Sequence, residues 1–113
     1  MKSIICIDQG TTSSRVVAFN EELQPLKINQ QEYSLIFPED GWVEIDISVI
    51  EKTVNDALAD VMSSFGDVIS LGITNQRETT LLWNRVNGLP LHNAIVWQDR
   101  RTAKYCEELK SQG

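Results

Sequence analysis

The stretch Ile4-Ile5-Cys6-Ile7-Asp8-Gln9-Gly10-Thr11-Thr12-Ser13-Ser14-Arg15-Val16-Val17-Ala18-Phe19 decides the fold. Two short apolar runs, Ile4 to Ile7 and Val16 to Phe19, flank a turn dense in glycine and hydroxyl residues, which predicts an antiparallel hairpin. The first run has no polar alternation and is expected to be a strand buried on both faces. Working outward, Asn20 to Pro25 turns the chain, and Leu26 to Tyr33 partly alternates as a third, half-exposed strand. Pro38-Glu39-Asp40-Gly41 reads as a surface turn. Asp46 is placed to cap a helix. Its apolar stripe is Ile47, Ile50, Val54, Leu58, Val61, Met62 and Phe65, with Gly66 expected to close it in a left-handed cap. Val68 to Ile73 is predicted as the next buried strand. Thr79 to Trp83 and Ala94 to Trp97 are β-rich around an Asn87-Gly88 turn. A last helix is predicted over about Asp99 to Lys110, with Thr102, Cys106 and Leu109 as its stripe. A three-strand meander, a crossover helix and a returning strand describe an α/β layer.

Composition sets the outer bounds. The chain has 113 residues, 42% hydrophobic and 23% charged, with a net charge of −6. That length corresponds to one domain at most, burying roughly 65% of the surface its unfolded form exposes. An acidic balance argues against nucleic acid or an anionic membrane surface as partner, since both need a cationic footprint. No apolar run approaches the ~20 residues of a membrane span. The apolar N-terminal run meets Asp8 too soon for a signal peptide, so a cytoplasmic location is expected. Cys6 and Cys106 are expected to be buried, unpaired thiols. A single histidine, His92, without metal-ligand spacing argues against a zinc site.

Two segments carry chemistry. In Asp8 to Arg15 there is no lysine at P-loop spacing and no helix follows. The turn can nevertheless offer backbone N–H groups and hydroxyls to phosphate oxygens, and Gly10 lets the backbone approach closely. Asp8 would repel phosphate unless a cation lay between, which points to hydrated magnesium. Arg15 could add positive charge to a diphosphate. An ordinary hairpin turn has the same composition, and from the turn alone both readings stand. The second segment is Arg77-Glu78, just beyond the predicted Val68 strand, where ligands of open α/β sheets gather. A donating guanidinium and an accepting carboxylate suit a polyol, whose hydroxyls do both; a solvated ion pair is the alternative. Trp97 could lay a ring face on such a ligand, although core packing is the plainer reading of a lone tryptophan.

The segments IDQGTTSSR, GWVEID, GITNQRETT and NAIVWQDRRTA, in this order, resemble the glycerol kinases of the FGGY carbohydrate kinase family, from about Ile4 through Cys106. The first motif is shared across the actin-like and hexokinase-like ATPases; the GITNQRETT motif followed by the tryptophan of VWQ is more specific for glycerol. The resemblance implies a ribonuclease H-like fold with ATP and glycerol as ligands and Mg2+ as cofactor. Gly10, Thr11, Thr12 and Ser13 would meet the ATP phosphates and Arg15 would contact ADP. Asp8 would place the magnesium through water. Arg77 and Glu78 would bind the glycerol hydroxyls, with Trp97 shielding the carbon chain; Asp99 receives no role. A kinase for another polyol or sugar, such as a pentulose, is the alternative, as is a non-catalytic binding module.

Family members are several times longer. The resemblance therefore implies that residues 1–113 are the N-terminal part of the first kinase domain, with the second domain, the general base and the adenine pocket lying beyond Gly113. By itself such a piece is expected to be inactive and prone to self-association, and the parent enzyme to be a homo-oligomer.

Overall fold

The structure is a computed structural model and describes residues 2–113, which divide into two compact units: residues 2–34 with 47–77, and 35–46 with 78–113. In the first unit, β1 (Lys2–Gln9), β2 (Ser13–Phe19), β3 (Pro25–Glu32) and β5 (Asp67–Asn75) form one sheet in the order β3-β2-β1-β5. The meander β1-β2-β3 is antiparallel throughout, as the hairpin reading expects. β5 returns parallel to β1, with Asp8 opposite Thr74 and Gln9 opposite Asn75. A parallel return needs a long crossover, supplied here by α1 (Ile47–Met62).

The core of this unit lies between the sheet and α1. Ile5, Ile7, Val16 and Ala18 from the strands meet Ala57 and Val61 from the helix, with Leu26, Val54, Leu58, Phe65 and Val68 packed around them. The innermost line of α1 is Thr53, Ala57 and Val61, spaced four residues apart on one face. Small residues sit there because a helix can approach the sheet closely only where its side chains are short. The larger residues of the predicted stripe therefore flank the contact, and Met62 is exposed.

Three sequence expectations are corrected. β1 is buried on one face only: Ser3, Ile5 and Ile7 point into the core, while Ile4 and Cys6 are half-buried. β5 is not a buried strand but an edge of the sheet, with Ile69, Leu71 and Ile73 exposed. An apolar run identifies a strand able to be covered, and no described element covers this one. Finally, the helix does not close on a left-handed Gly66, which has no positive φ. It tightens instead through bonds from Ser64 N to Val61 O and from Phe65 N to Met62 O, three-residue closures that satisfy the last carbonyls.

The second unit is built on a short ladder. β4 (Glu44–Ile45) pairs antiparallel with β6 (Ala94–Ile95), and single bridges extend it from Ile36 to Glu44 and from Thr80 to Ile95. Trp83 bridges Pro90 across the predicted turn, where Gly88 takes φ 72°. α2 (Ala103–Ser111) follows a looser turn over 99–102 and buries none of its residues, so Cys106 and Leu109 are exposed rather than packed. No helix among the described residues is long and apolar enough to cross a membrane.

The packing makes a direct stability forecast. Ile5→Ala, at a fully buried position, should lower the unfolding free energy by about 2–5 kcal/mol, read from denaturant unfolding. Ala57→Leu should cost about 1–3 kcal/mol through overpacking between helix and sheet.

Candidate functional site

In the first unit the register of β1 with β5 brings two candidate segments to the same end of the sheet. Both strands run in the same direction and finish opposite each other at Gln9 and Asn75. The Gly10–Ser13 turn leaves one strand end, and Gln76-Arg77 leaves the other. Gln76 N donates to Gln9 O at 2.8 Å, and Gln76 Nε2 donates to Gly10 O at 3.1 Å. The turn and the segment carrying Arg77 are therefore bonded neighbours.

The turn closes through Gly10 N to Ser13 O at 2.9 Å. Glycine is needed here for space rather than for φ: a Cβ at Gly10 would stand 3.2 Å from the Ser13 carbonyl oxygen. Thr11 and Ser13 are half-buried and Thr12 is exposed. Ser13 Oγ accepts a bond from Gln30 Nε2 at 3.2 Å. Ser14 faces the other way and is fully buried. Asp8 and Arg15, directly opposite in the β1–β2 register, form an ion pair at 2.9 Å with both side chains about half exposed. Such a pair contributes little to stability. Arg77 is exposed and forms no ion pair among the described residues.

In the second unit, Glu78 takes φ 65°, a left-handed conformation that favours glycine and is uncommon for glutamate. It lines a cavity of about 320 Å³ together with Thr80, Trp97 and Arg101. Trp97 is 53% exposed, so the core-packing reading does not hold. The backbone around it is fastened on several sides. Trp97 N donates to Thr79 Oγ1 at 3.3 Å, Val96 N to Val43 O at 3.0 Å, and Asp99 N to Val96 O at 2.8 Å.

What the sequence did not assign is the scaffold beneath Trp97. Arg101 places its guanidinium 3.9 Å from the centre of the Trp42 ring. It donates to both Asp99 carboxylate oxygens, at 2.8–3.0 Å, and to Glu44 Oε2 at 2.8 Å. Asp99 also accepts Val43 N at 2.7 Å and Arg101 N at 2.8 Å. The side chains of Asp99 and Glu44 are only 4% and 3% exposed. The Arg101 hydrogen bonds pull the Asp99 carboxyl down to about 2, and hydrogen bonds from Arg101 and Asn93 lower that of Glu44. The GWVEID and VWQDRRTA segments thus meet in one ionic cluster. A second unassigned group, Tyr33 with Gln9, Ser14 and Thr53, lies under the phosphate-type turn. Only Gln9, Ser14 and Glu44 lie on strands; the other members come from the helix and from irregular segments, where no alternation marks them.

A mixed α/β sheet whose parallel strand ends carry a hydroxyl-rich turn on one side and an arginine on the other has the fold of the actin- and hexokinase-like ATPases, present here in part. The chain belongs to the FGGY family of carbohydrate kinases, whose N-terminal domain profile matches residues 3–113. It is 52% identical over 114 aligned residues to a glycerol kinase of Janthinobacterium sp. (strain Marseille), covering 97% of this chain and 23% of that protein. It is 49% identical to a glycerol kinase of Fusobacterium nucleatum subsp. nucleatum, with the same coverage of each. The crystal structure of Plasmodium falciparum glycerol kinase with ADP matches all of this chain and 24% of its own, with a TM-score of 0.89 at 34% identity. A xylulose kinase from Lactobacillus acidophilus superposes with a TM-score of 0.93 at 23% identity, a likeness of fold alone. The chain therefore spans about a quarter of the length of the relatives it matches.

Arg101 gives this unit a testable dependence. Arg101→Met would leave the carboxylates of Asp99 and Glu44 without their counter-charge and should destabilise this unit. Asp99 and Glu44 titrate lower folded than unfolded, where carboxyls lie near pH ~4. Their contribution should be complete above that pH and should disappear as pH falls through about 2 for Asp99. Acid unfolding monitored by circular dichroism, with and without Arg101→Met, checks both.

Proposed function

We propose that this chain is the N-terminal part of an ATP:glycerol phosphotransferase, an enzyme that moves the γ-phosphoryl of ATP to a terminal hydroxyl of glycerol. The observation that carries the reading is the shared strand end: Gln9 opposite Asn75, so that the Gly10–Ser13 turn and Arg77 stand side by side. Similarity to glycerol kinases at about half identity supports the choice of acceptor.

In this reading the backbone N–H groups and hydroxyls of Gly10, Thr11, Thr12 and Ser13 receive the nucleotide phosphates. Phosphoryl transfer depends mostly on positioning and on neutralising charge, and a turn of this kind supplies fixed donors without reorganisation. Arg15 stands across the sheet from Asp8 and can exchange its carboxylate partner for a diphosphate oxygen. Arg77 donates to the hydroxyls of the acceptor, Glu78 accepts from them, and Trp97 covers its carbon chain with an apolar face. The left-handed backbone at Glu78 is held at some conformational cost, as expected where a side chain must be aimed at a ligand.

Magnesium fits the chemistry of Asp8. Among the described residues no cluster of three or more acidic, histidine or cysteine side chains could cage a metal. A single carboxylate beside a phosphate site suits an ion that keeps most of its waters. When bound, such an ion neutralises charge on the phosphates. Asp8 would hold it through water, and the Asp8–Arg15 pair would open to allow it.

Arg77→Ala in the intact enzyme should lower kcat/KM for glycerol about 10- to 100-fold, the loss of a charge-assisted hydrogen bond, with the ATP KM nearly unchanged. Unaltered glycerol kinetics would remove Arg77 from the site, and a pentulose preferred over glycerol would reject the acceptor. No general base is assigned among these residues, so the 113-residue chain alone should give no glycerol phosphate in a coupled assay. Its exposed β5 residues Ile69, Leu71 and Ile73 favour self-association of the isolated chain; a sharp monomer in sedimentation would count against it.

A further inference from the structure

Beneath the phosphate-type turn lies a polar chain that the proposed function leaves unused. Thr53 Oγ1 on α1 donates to the carbonyls of Val49 and Ile50, at 2.9 and 3.0 Å. Its hydroxyl proton is thereby committed, so in the 2.8 Å contact between Thr53 Oγ1 and Ser14 Oγ the serine donates. Ser14 Oγ must then accept, and Gln9 Nε2 donates to it at 2.9 Å. The second Nε2 proton of Gln9 goes to Tyr33 Oη at 3.0 Å. That leaves the phenol proton of Tyr33 for Gly10 O, in a short hydrogen bond. Ser14 Oγ also lies 3.1 Å from Gln9 Oε1, a second acceptor for the serine proton; on the other side the direction is unaffected and runs from Gln9 through Tyr33 to the turn.

Gly10 O accepts a second bond from Gln76 Nε2 at 3.1 Å. A carbonyl held by two donors cannot rotate without losing one. The peptide after it is trans, since the described chain has no cis bonds, so the Thr11 N–H is fixed on the side opposite Tyr33 and Gln76. Tyr33 N also donates to Thr12 O at 2.9 Å, so Tyr33 grips the turn at the carbonyls of the two residues that flank Thr11, Gly10 and Thr12. Burial pushes the Tyr33 phenol above its ordinary range, against a smaller opposite effect of the Gln9 hydrogen bond. It therefore remains a donor at neutral pH.

We propose that Tyr33 and Gln76 are positioning residues for nucleotide binding: together they lock the Gly10 carbonyl and so set the orientation of the turn that receives phosphate. This rests on the reading that the turn binds a nucleotide. Gln76 adds a linkage, because its backbone is bonded to Gln9 O and its neighbour in the chain is Arg77. A movement of the turn is thereby passed to the acceptor residue, whereas Tyr33 acts on the turn alone.

The test uses Tyr33→Phe, Gln76→Met and the double variant in the intact enzyme. Direct ADP affinity is measured by calorimetry beside KM for ATP, KM for glycerol and thermal stability. Tyr33→Phe should weaken ADP binding about 3- to 10-fold, the effect of one neutral hydrogen bond, with glycerol KM unchanged. Gln76→Met should weaken ADP binding and raise glycerol KM together. The double variant should lose more ADP affinity than the product of the single losses, because only then does the half-buried Gly10 carbonyl lose both side-chain donors. A lower melting temperature with wild-type ADP affinity and both KM values intact in the single variants would overturn the proposal. If the wild-type enzyme binds ADP but does not phosphorylate glycerol, the acceptor reading falls while the ADP measurements still decide this one. If it binds no nucleotide at all, both are overturned.

Discussion

The parallel pairing of β1 with β5 is the constraint on which the rest of the candidate site depends. Parallel strands run in the same direction, so their carboxyl ends meet, and whatever leaves them leaves side by side. Here one end opens into Gly10–Ser13 and the other into Gln76-Arg77, with Gln9 and Asn75 in register. Had β5 joined antiparallel, the two segments would lie at opposite ends of the sheet. The helix α1 makes that direction possible by carrying the chain back, and its short inner residues let it lie close enough to bury Ile5 and Val16 completely.

The second unit is organised by charge. Its ladder is short and buries few apolar residues, chiefly Val43, Ile45, Ala94 and Val96, and a fork of hydrogen bonds from Arg101 ties Glu44 to Asp99 beside them. Removing two carboxylates and a guanidinium from water is costly unless each lone pair and proton finds a partner. Asp99 meets that condition with two backbone N–H groups and the Arg101 fork, and Glu44 with Arg101 and Asn93. The consequence is placement: the loop carrying the exposed Trp97 is tied to Val43 and to the cluster within a few residues on its C-terminal side.

Polar residues under the Gly10 turn do related work at smaller cost, because none of them is charged. A relay of neutral donors fixes a carbonyl without the desolvation penalty of an ion, and it leaves the exposed side of the turn to its own N–H groups and hydroxyls. The Asp8–Arg15 pair differs from both clusters. Half exposed, it adds little to stability and its partners remain exchangeable, which suits residues that must reorganise around a ligand.

Sequence alone determined the local pieces. Apolar runs around Gly10-Thr11-Thr12-Ser13 required a hairpin, spacing from Ile47 onward required a helix, and the quoted motifs carried the family. These are short-range facts, set by side-chain period and turn chemistry. Tertiary structure decided which faces are covered: β5 reads as a buried strand yet lies at an edge, and of the two readings of Trp97, core residue or ligand cover, its exposure removes the first. It also decided the long-range pairs, Tyr33 and Gln76 on one carbonyl and Arg101 between Glu44 and Asp99. No periodicity encodes such pairs, because their partners are brought together only by the register of strands far apart in the chain.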